Sequence, residues 1–161
     1  MTSIRKLNPV EEDILNALKK VPGRFDLAPF AWKSYAQSLN ADDYFLSEDR
    51  TLLDYQKALD SNWSVDNLFL QFPSRWYKRG VEKFFKEVFG SNENVVIIVP
   101  TYTAADYFQL LLENCSCCCF PSKVRKGYWY SIFFFTYNTQ IKRHFTNVFS
   151  KIGYTFSNKV R

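Results

Sequence analysis

Residues 65–89 read VDNLFLQFPSRWYKRGVEKFFKEVF and carry the pattern that decides the fold. The apolar run Leu68–Leu70 predicts a buried strand, and Pro73 ends it because proline has no N–H to give to a sheet. After the turn at 71–74, apolar residues recur at helical spacing, which predicts an amphipathic helix ended by Gly90. Its apolar face comprises Tyr77, Val81, Phe84, Phe85 and Val88. Open α/β sheets place their sites where the carboxyl end of a strand leads into a helix, so we expect a functional site at this turn.

The rest of the chain alternates between helix and strand patterns. Asn94–Pro100, with five consecutive β-branched apolar residues before a proline, is the clearest strand. Residues 32–64 lack convincing periodicity before Thr51 and are expected to form loops with short helical pieces. The other expected elements are helices from Pro9, over 101–114 with Thr103 as cap, and over 139–151, and strands over 24–30, 115–120, 129–136 and 154–156. This order predicts a single α/β domain, 1–161, with a Rossmann-like layout in which helices cover both faces of an open, mainly parallel sheet.

Charge is segregated along the chain. All 16 acidic residues lie at or before Glu113, together with 13 basic residues, so residues 1–113 carry a net charge of −3. Residues 114–161 carry 8 basic residues and no acidic residue. This asymmetry favours a nucleic acid or an acidic protein surface as partner, although a merely solvated basic face gives the same pattern. Aromatic residues make up 19% of the chain, which indicates an aromatic core or a face that another protein covers.

The cysteines are the other unusual feature of the composition. All four lie within residues 115–119, and the only histidine is His144, so the spacing does not match a zinc site. We expect reduced cysteines that serve as small hydrophobic residues of a strand, and no bound metal. No stretch approaches the roughly 18 apolar residues of a membrane span, and residues 1–20 have no apolar signal core. The expected protein is intracellular and not bound to a membrane.

The order of short motifs resembles the phage-type DNA N6-adenine methyltransferases, which use S-adenosylmethionine. That family has a proline-capped first helix, a Phe-Asp-Leu-Asp-Pro strand end, a Tyr-Phe pair, a tryptophan, and a strand that runs into Asn-Pro-Pro-Tyr. A Trp-Val-Glu-Lys-like helix, a Leu-Pro strand end and a Trp-Phe helix follow. Here the order, over about residues 8–136, is Pro9, Phe25-Asp26-Leu27-Ala28-Pro29, Tyr44-Phe45, Trp63, Gln71-Phe72-Pro73-Ser74, Gly80-Val81-Glu82-Lys83, Val99-Pro100 and Tyr107-Phe108. The resemblance implies a Rossmann-like methyltransferase fold.

The motif that carries the family's catalysis is altered in this chain. In the family, the Asn side chain and the carbonyl of the next proline accept hydrogen bonds from the target amine, and the aromatic stacks on a flipped adenine. Those roles fall here to Gln71, Phe72 and Ser74. Gln71 has one methylene too many, Phe72 lacks the fixed φ of proline, and Ser74 cannot stack. The resemblance therefore implies that the degenerate positions Gln71, Phe72, Pro73 and Ser74 are not catalytic.

The cofactor motif is altered as well. The second acid of the family's Phe-Asp-Leu-Asp motif, which lies near the cofactor, is Ala28 in this chain, while Asp26 is retained. The sequence contains no Gly-x-Gly-x-x-Gly signature that would bind a nucleotide in another way. We therefore expect no bound cofactor.

These observations lead to a non-catalytic, methyltransferase-like subunit of a multi-protein DNA N6-adenine methyltransferase complex of the ciliate type. Its expected partners are catalytic methyltransferase subunits and DNA, and its expected location is the nucleus. The residues expected to bind phosphates or an acidic partner are Arg75, Lys78, Arg79, Lys123, Arg125, Lys126, Lys142 and Arg143.

Two alternatives remain open at this point. In the first, the chain is an active S-adenosylmethionine-dependent DNA adenine methyltransferase in which Gln71 positions the amine and Trp76 or Tyr77 stacks on the base. In the second, the chain is a free-standing nucleic-acid-binding protein that uses its basic final third.

Overall fold

The computed structural model describes residues 9–46, 51–121 and 129–158. The helices are α1 (Pro9–Leu18), α2 (Lys33–Ser38), α3 (Leu52–Asp60), α4 (Tyr77–Lys83), α5 (Asp106–Asn114) and α6 (Thr139–Phe149). The strands are β1 (Asn67–Gln71), β2 (Asn94–Pro100), β3 (Cys117–Phe120), β4 (Tyr130–Thr136) and β5 (Tyr154–Ser157). The predicted α/β class and the predicted strands of the second half are confirmed. Lys123, Arg125 and Lys126 lie outside the described residues.

The five strands form one open, mixed sheet in the order β1-β2-β4-β3-β5. Only β1 and β2 pair in parallel; β2 with β4, β4 with β3, and β3 with β5 pair antiparallel. The prediction of a mainly parallel sheet is therefore wrong for the described residues. The short chain between β3 and β4 explains part of the difference, because a parallel crossover needs a dozen or more residues. In direction, β1, β2 and β3 run one way and β4 and β5 the other.

Helices cover both faces of the sheet, as predicted. Alternate side chains of each central strand point to opposite faces, so Val96 and Ile98 of β2 join a core with α1, α2 and α6, whereas Val95 and Ile97 join a second core with α3, α4 and α5. All seven residues of β2 are buried. This is the burial expected of a central strand with helices on both sides.

The cysteines are part of β3 and its approach. Cys115, Cys117, Cys118 and Cys119 are all buried free thiols. Cys117 and Cys119 face one core and Cys118 faces the other. Burial raises the pKa of Cys117 to about 12. The prediction of buried, unbridged strand cysteines is confirmed for Cys117, Cys118 and Cys119, whereas Cys115 is the C-cap residue of α5.

Three local features differ from the sequence-based expectation. Thr103 does not cap the third predicted helix. The N-cap residue of α5 is Ala105, which makes no side-chain capping bond, and the residues before it form turns. The helix after β1 is α-helical only to Lys83 and continues as a π-helical turn over Phe84–Val88, in which the Phe89 N–H donates to the Phe84 carbonyl at 2.9 Å. The predicted short strand at 24–30 is reduced to single bridges from Phe25 and Leu27.

The stretch 32–64, expected to hold loops with short helices, contains α2 and α3. Thr51 caps α3 through a reciprocal capping box with Asp54. Within the described ranges, no helix has the length and apolar content needed to cross a lipid bilayer.

Candidate functional site at the carboxyl end of β1

The chain around Leu27 lies beside β1 and runs parallel to it. Asp26 donates its N–H to the Asn67 carbonyl at 2.8 Å, and the Leu27 carbonyl accepts from the Phe69 N–H at 3.0 Å. Because β1 and β2 are also parallel, the ends of all three segments reach the same edge of the sheet. Ala28 and Gln71, the two halves of the predicted site, are therefore brought to one edge by the fold.

Gln71 is the last residue of β1 and is half-buried. Its Oε1 accepts a hydrogen bond from the Tyr35 hydroxyl at 3.1 Å, and Tyr35 is only 5% exposed. The amide oxygen that would receive a substrate amine is thus already bonded to a core residue. A bond of this kind contributes about 1 kcal/mol and fixes the Gln71 side chain against α2.

Phe72 points into the core instead of lining an opening. Its ring is 4% exposed and makes an edge contact with Phe30, with ring centroids 5.2 Å apart. A Cβ added to Gly80 of α4 would overlap the Phe72 ring, so α4 rests directly on this side chain. Position 72 therefore anchors the helix that follows the turn.

The turn after Pro73 presents no open aromatic side chain on which a base could stack. Ser74 is exposed, and Arg75 has a left-handed backbone with φ of 74°, which few residues other than glycine adopt. Trp76 is 8% exposed, and the Arg79 guanidinium lies over its ring at 4.2 Å. The face of Trp76 is covered on that side and is not open to a base.

A group of tyrosines surrounds the other side of this edge. Tyr77 stacks on Tyr107, with centroids 6.0 Å apart and ring planes at 26°. Burial is the main cause that raises the pKa of Tyr77 above its usual range. The neighbouring Tyr130, with which Tyr77 forms a hydrogen bond, raises it further, so the Tyr77 phenol stays protonated. The Tyr107 hydroxyl is buried without a hydrogen-bond partner in the described part of the chain. Sequence reasoning missed this group because its members come from α4, α5 and β4.

Exposed rings lie beside that tyrosine group. Tyr102 is 61% exposed and Trp129 is 73% exposed. They are close in the fold, because the Trp129 carbonyl accepts the Thr101 N–H at 2.7 Å. These two rings can stack on a base or pack against a protein.

The predicted donor position is closed. Ala28 has no exposed surface and belongs to the core shared with α1 and α6. The retained Asp26 has a structural role, since its Oδ2 accepts from the Asn67 N–H at 2.8 Å and its Oδ1 lies 3.5 Å from the Arg24 guanidinium. Neither residue presents a free carboxylate to a cofactor at this edge.

The five predicted basic residues in the described part of the chain do not form one surface. Arg75, Lys78 and Arg79 are exposed at the start of α4, at the carboxyl edge. Lys142 and Arg143 are in the first half of α6, which begins where β4 ends, at the opposite edge and on the opposite face. Lys142 donates to the Asn158 carbonyl at 2.6 Å.

A cavity of about 290 Å³ lies at that opposite edge and is separate from the predicted site. The Phe84, Phe89 and Phe135 rings line it, together with the polar side chains of Asn92 and Lys142. No group of three or more potential metal ligands occurs in residues 9–46, 51–121 and 129–158.

We expect Gly80→Ala to lower the free energy of unfolding by about 1–3 kcal/mol, because the new methyl group would overlap the Phe72 ring. Urea denaturation measures the change. Lys78→Ala, on the exposed side of the same helix, is the control and should change stability by no more than about 0.5 kcal/mol. Adding Phe72→Leu to Gly80→Ala should recover part of the loss; equal stability of the wild type and Gly80→Ala would mean that α4 does not rest on Phe72.

We expect Ala28→Asp to be unstable at neutral pH, because the carboxylate would be buried without a partner. Burial raises its pKa in the folded state above the unfolded value of about 3.9, so the part of the loss that is due to ionisation is absent below about pH 4 and grows as the pH rises, to about 3 kcal/mol at pH 7. Denaturation at pH 4 and pH 7, with Ala28→Asn as the uncharged control, measures this. An Asp variant as stable as the Asn variant at pH 7 would show that water reaches position 28.

Comparison of the chain with protein-family models, with curated proteins and with solved structures finds no match.

Proposed function

We propose that this chain is a non-catalytic subunit of a multi-protein DNA N6-adenine methyltransferase complex, with a Rossmann-like methyltransferase fold that has lost its chemistry. The observation that carries the proposal is the use of Phe72 as a core anchor for α4. A turn that presents groups to a flipped base needs its residues free at the edge of the sheet. In this chain the second residue of that turn is committed to packing.

The acceptor half of the site supports the same reading. The Gln71 amide oxygen is bonded to Tyr35, and Ser74 has no ring. Catalysis by positioning is sensitive to displacements of about 1 Å, which cost on the order of a hundredfold in rate. The longer Gln side chain, held by a core hydroxyl, is poorly suited to aligning an amine.

The predicted cofactor-binding half of the site, at Ala28 and Asp26, supports the proposal independently of the turn. The position of the missing acid, Ala28, is inside the core, and Asp26 ties the neighbouring segment to Asn67. A carboxylate that binds a cofactor hydroxyl has to reach the open edge. Loss at both halves favours a retained scaffold over an enzyme with one unusual residue, and we therefore propose that no S-adenosylmethionine is bound.

Exposed groups at the carboxyl edge support a role in assembly and in DNA binding. The basic residues Arg75 and Lys78 and the rings of Tyr102 and Trp129 are all open to solvent there. Cationic side chains contact phosphates, and exposed aromatic rings stack on bases or anchor protein interfaces. The proposed partners are catalytic subunits and DNA, and the proposed location is the nucleus.

The decisive experiment is genetic complementation. In cells that lack this chain, we expect adenine methylation of DNA to fall, and we expect Gln71→Ala to restore it as well as the wild type does, because Gln71 has no catalytic part. The purified chain should also give no heat on calorimetric titration with S-adenosylmethionine. Micromolar binding of the cofactor, or failure of a stably folded Gln71→Ala to restore methylation, would establish the active-enzyme alternative.

A second prediction concerns DNA contacts. If Arg75 and Lys78 each neutralise one phosphate, replacing both with Ala should reduce the slope of log K against log salt for duplex DNA by about 1.8. The matched control replaces Lys19 and Lys20 with Ala, which also removes two exposed charges but none of the predicted contacts, and should leave the slope unchanged. An unchanged slope in the double variant would remove the carboxyl edge from the DNA contact. Lys123, Arg125 and Lys126 remain a prediction from sequence.

A further inference from the structure

β5 is the last strand of the sheet and has one open side. It pairs antiparallel with β3 through the register Tyr154 to Phe120 and Ser157 to Cys117. Among the described residues no strand pairs with its other side. An open strand edge offers a row of main-chain donors and acceptors to another chain.

The hydrogen bonds identify which main-chain groups face outward. Asn158 donates its N–H to the Ser116 carbonyl at 3.0 Å, so Asn158 faces β3. Main-chain groups alternate in direction along an antiparallel strand, which makes Phe156 and Tyr154 face β3 as well. The N–H and carbonyl groups of Thr155 and Ser157 therefore face the open side.

The strand also presents apolar surface next to that open side. Tyr154 is 66% exposed and Phe156 is 56% exposed, and their alternate positions place both rings on one face. The Phe156 ring contacts Phe120 at 5.5 Å, which continues the core outward. Residues 154–157 contain no lysine, proline or bulge of the kind that natural proteins use to block an edge.

The charge around β5 is mainly positive. Residues 114–161 contain 8 basic residues and no acidic residue, and three of the eight lie in the described part of the chain. Lys142 and Arg143 are on α6, which packs against β5, and Lys151 is exposed just before the strand. Glu113 of α5, which shares the opposite-edge cavity with Lys142 and Asn158, is an acidic residue of the described ranges that approaches this region.

This charge argues against a second copy of the chain as the occupant. Pairing of β5 with its own copy would bring two basic regions together, and such like-charge contacts cost free energy and suppress association. An acidic partner chain is instead attracted by the basic residues around β5. Alternating apolar side chains on the added strand would lie beside Tyr154 and Phe156.

We propose that the outer edge of β5 binds an extended, acidic segment of a partner protein by addition of a strand to the sheet. Main-chain bonds to Thr155 and Ser157 hold the segment, and its acidic side chains face the basic residues around α6. The inference rests on the proposed function, because a non-catalytic subunit needs a surface for its partner, and it assigns that surface. The site is distinct from the DNA contact proposed at the carboxyl edge of β1.

The test uses the full chain and a random peptide library displayed on phage. We expect the selected peptides to alternate apolar residues and to be rich in Asp and Glu. Synthetic copies should slow the hydrogen exchange of the Thr155 and Ser157 amides at least tenfold. Selected peptides that are basic, or that protect amides elsewhere, would overturn the proposal, as would a library that yields no binder.

Two variants of Thr155 separate the main-chain contact from the side chain. Thr155→Pro removes an outward N–H and leaves the bonds to β3, and should weaken peptide binding at least tenfold; Thr155→Ala keeps the N–H and should stay within about twofold. Unchanged far-ultraviolet circular dichroism verifies the fold of both. Equal binding by the proline variant overturns strand addition, and light scattering that shows a dimer without peptide assigns the edge to a second copy.

The outcome is independent of the test of the proposed function. Peptide binding that depends on position 155 supports the edge site even if Gln71→Ala fails to restore methylation. Conversely, complementation by Gln71→Ala with no binding at β5 supports a non-catalytic subunit whose partner docks elsewhere, and removes this inference alone.

Discussion

The contact of the Phe72 ring with Gly80 is the constraint on which the arrangement around β1 depends. It joins the end of a buried strand to the helix that follows, and it works because glycine leaves room for the ring face. The same ring packs against Phe30 and lies near Trp63, so it also connects the turn to residues before β1. A large side chain buried at this point contributes about 1.5–3 kcal/mol of hydrophobic stabilisation. Phe72 can make this contribution only because its side chain points from the turn into the core.

Polar side chains of the predicted site at the same edge are also used within the fold. Tyr35 donates to Gln71, and Asp26 accepts from Asn67, so the Gln71 amide oxygen and the Asp26 carboxylate are bonded within the fold. Buried polar groups are costly unless they are paired, and pairing them within the chain stabilises the scaffold without regard to a substrate. The Tyr107 hydroxyl is an exception, since it is buried and has no partner among the described residues. At the edge of β1, the predicted site residues are therefore bonded as core residues, whereas the tyrosine group keeps one hydroxyl unpaired.

The high aromatic content has two separate explanations. Most rings are inside, as with Phe84 and Phe135 beside the π-helical turn, whose ring centroids are 5.1 Å apart between helix and sheet. A smaller number are exposed beside the carboxyl edge, along β5, and at the opposite edge, where Phe89 is 44% and Tyr137 is 76% exposed. Groups of exposed apolar rings mark surfaces that other molecules can cover. β5 differs from the other places because, among the described residues, no strand pairs with its outer side.

The sequence by itself determined most of the elements and the residue types of the turn, although the strand predicted at 24–30 is reduced to single bridges. The β-branched run of β2, the helical spacing after Pro73 and the apolar cysteine strand are local patterns, and local periodicity reports which faces are buried. The residues at Ala28, Gln71, Phe72 and Ser74, on which the proposed function rests, are likewise visible without coordinates. Only the tertiary structure decided strand direction, the packing of Phe72 on Gly80, the burial of Ala28, the separation of the basic residues to opposite edges and the open side of β5. These depend on which distant segments pair, and a strand buried on both faces has the same sequence pattern whether its neighbour runs parallel or antiparallel.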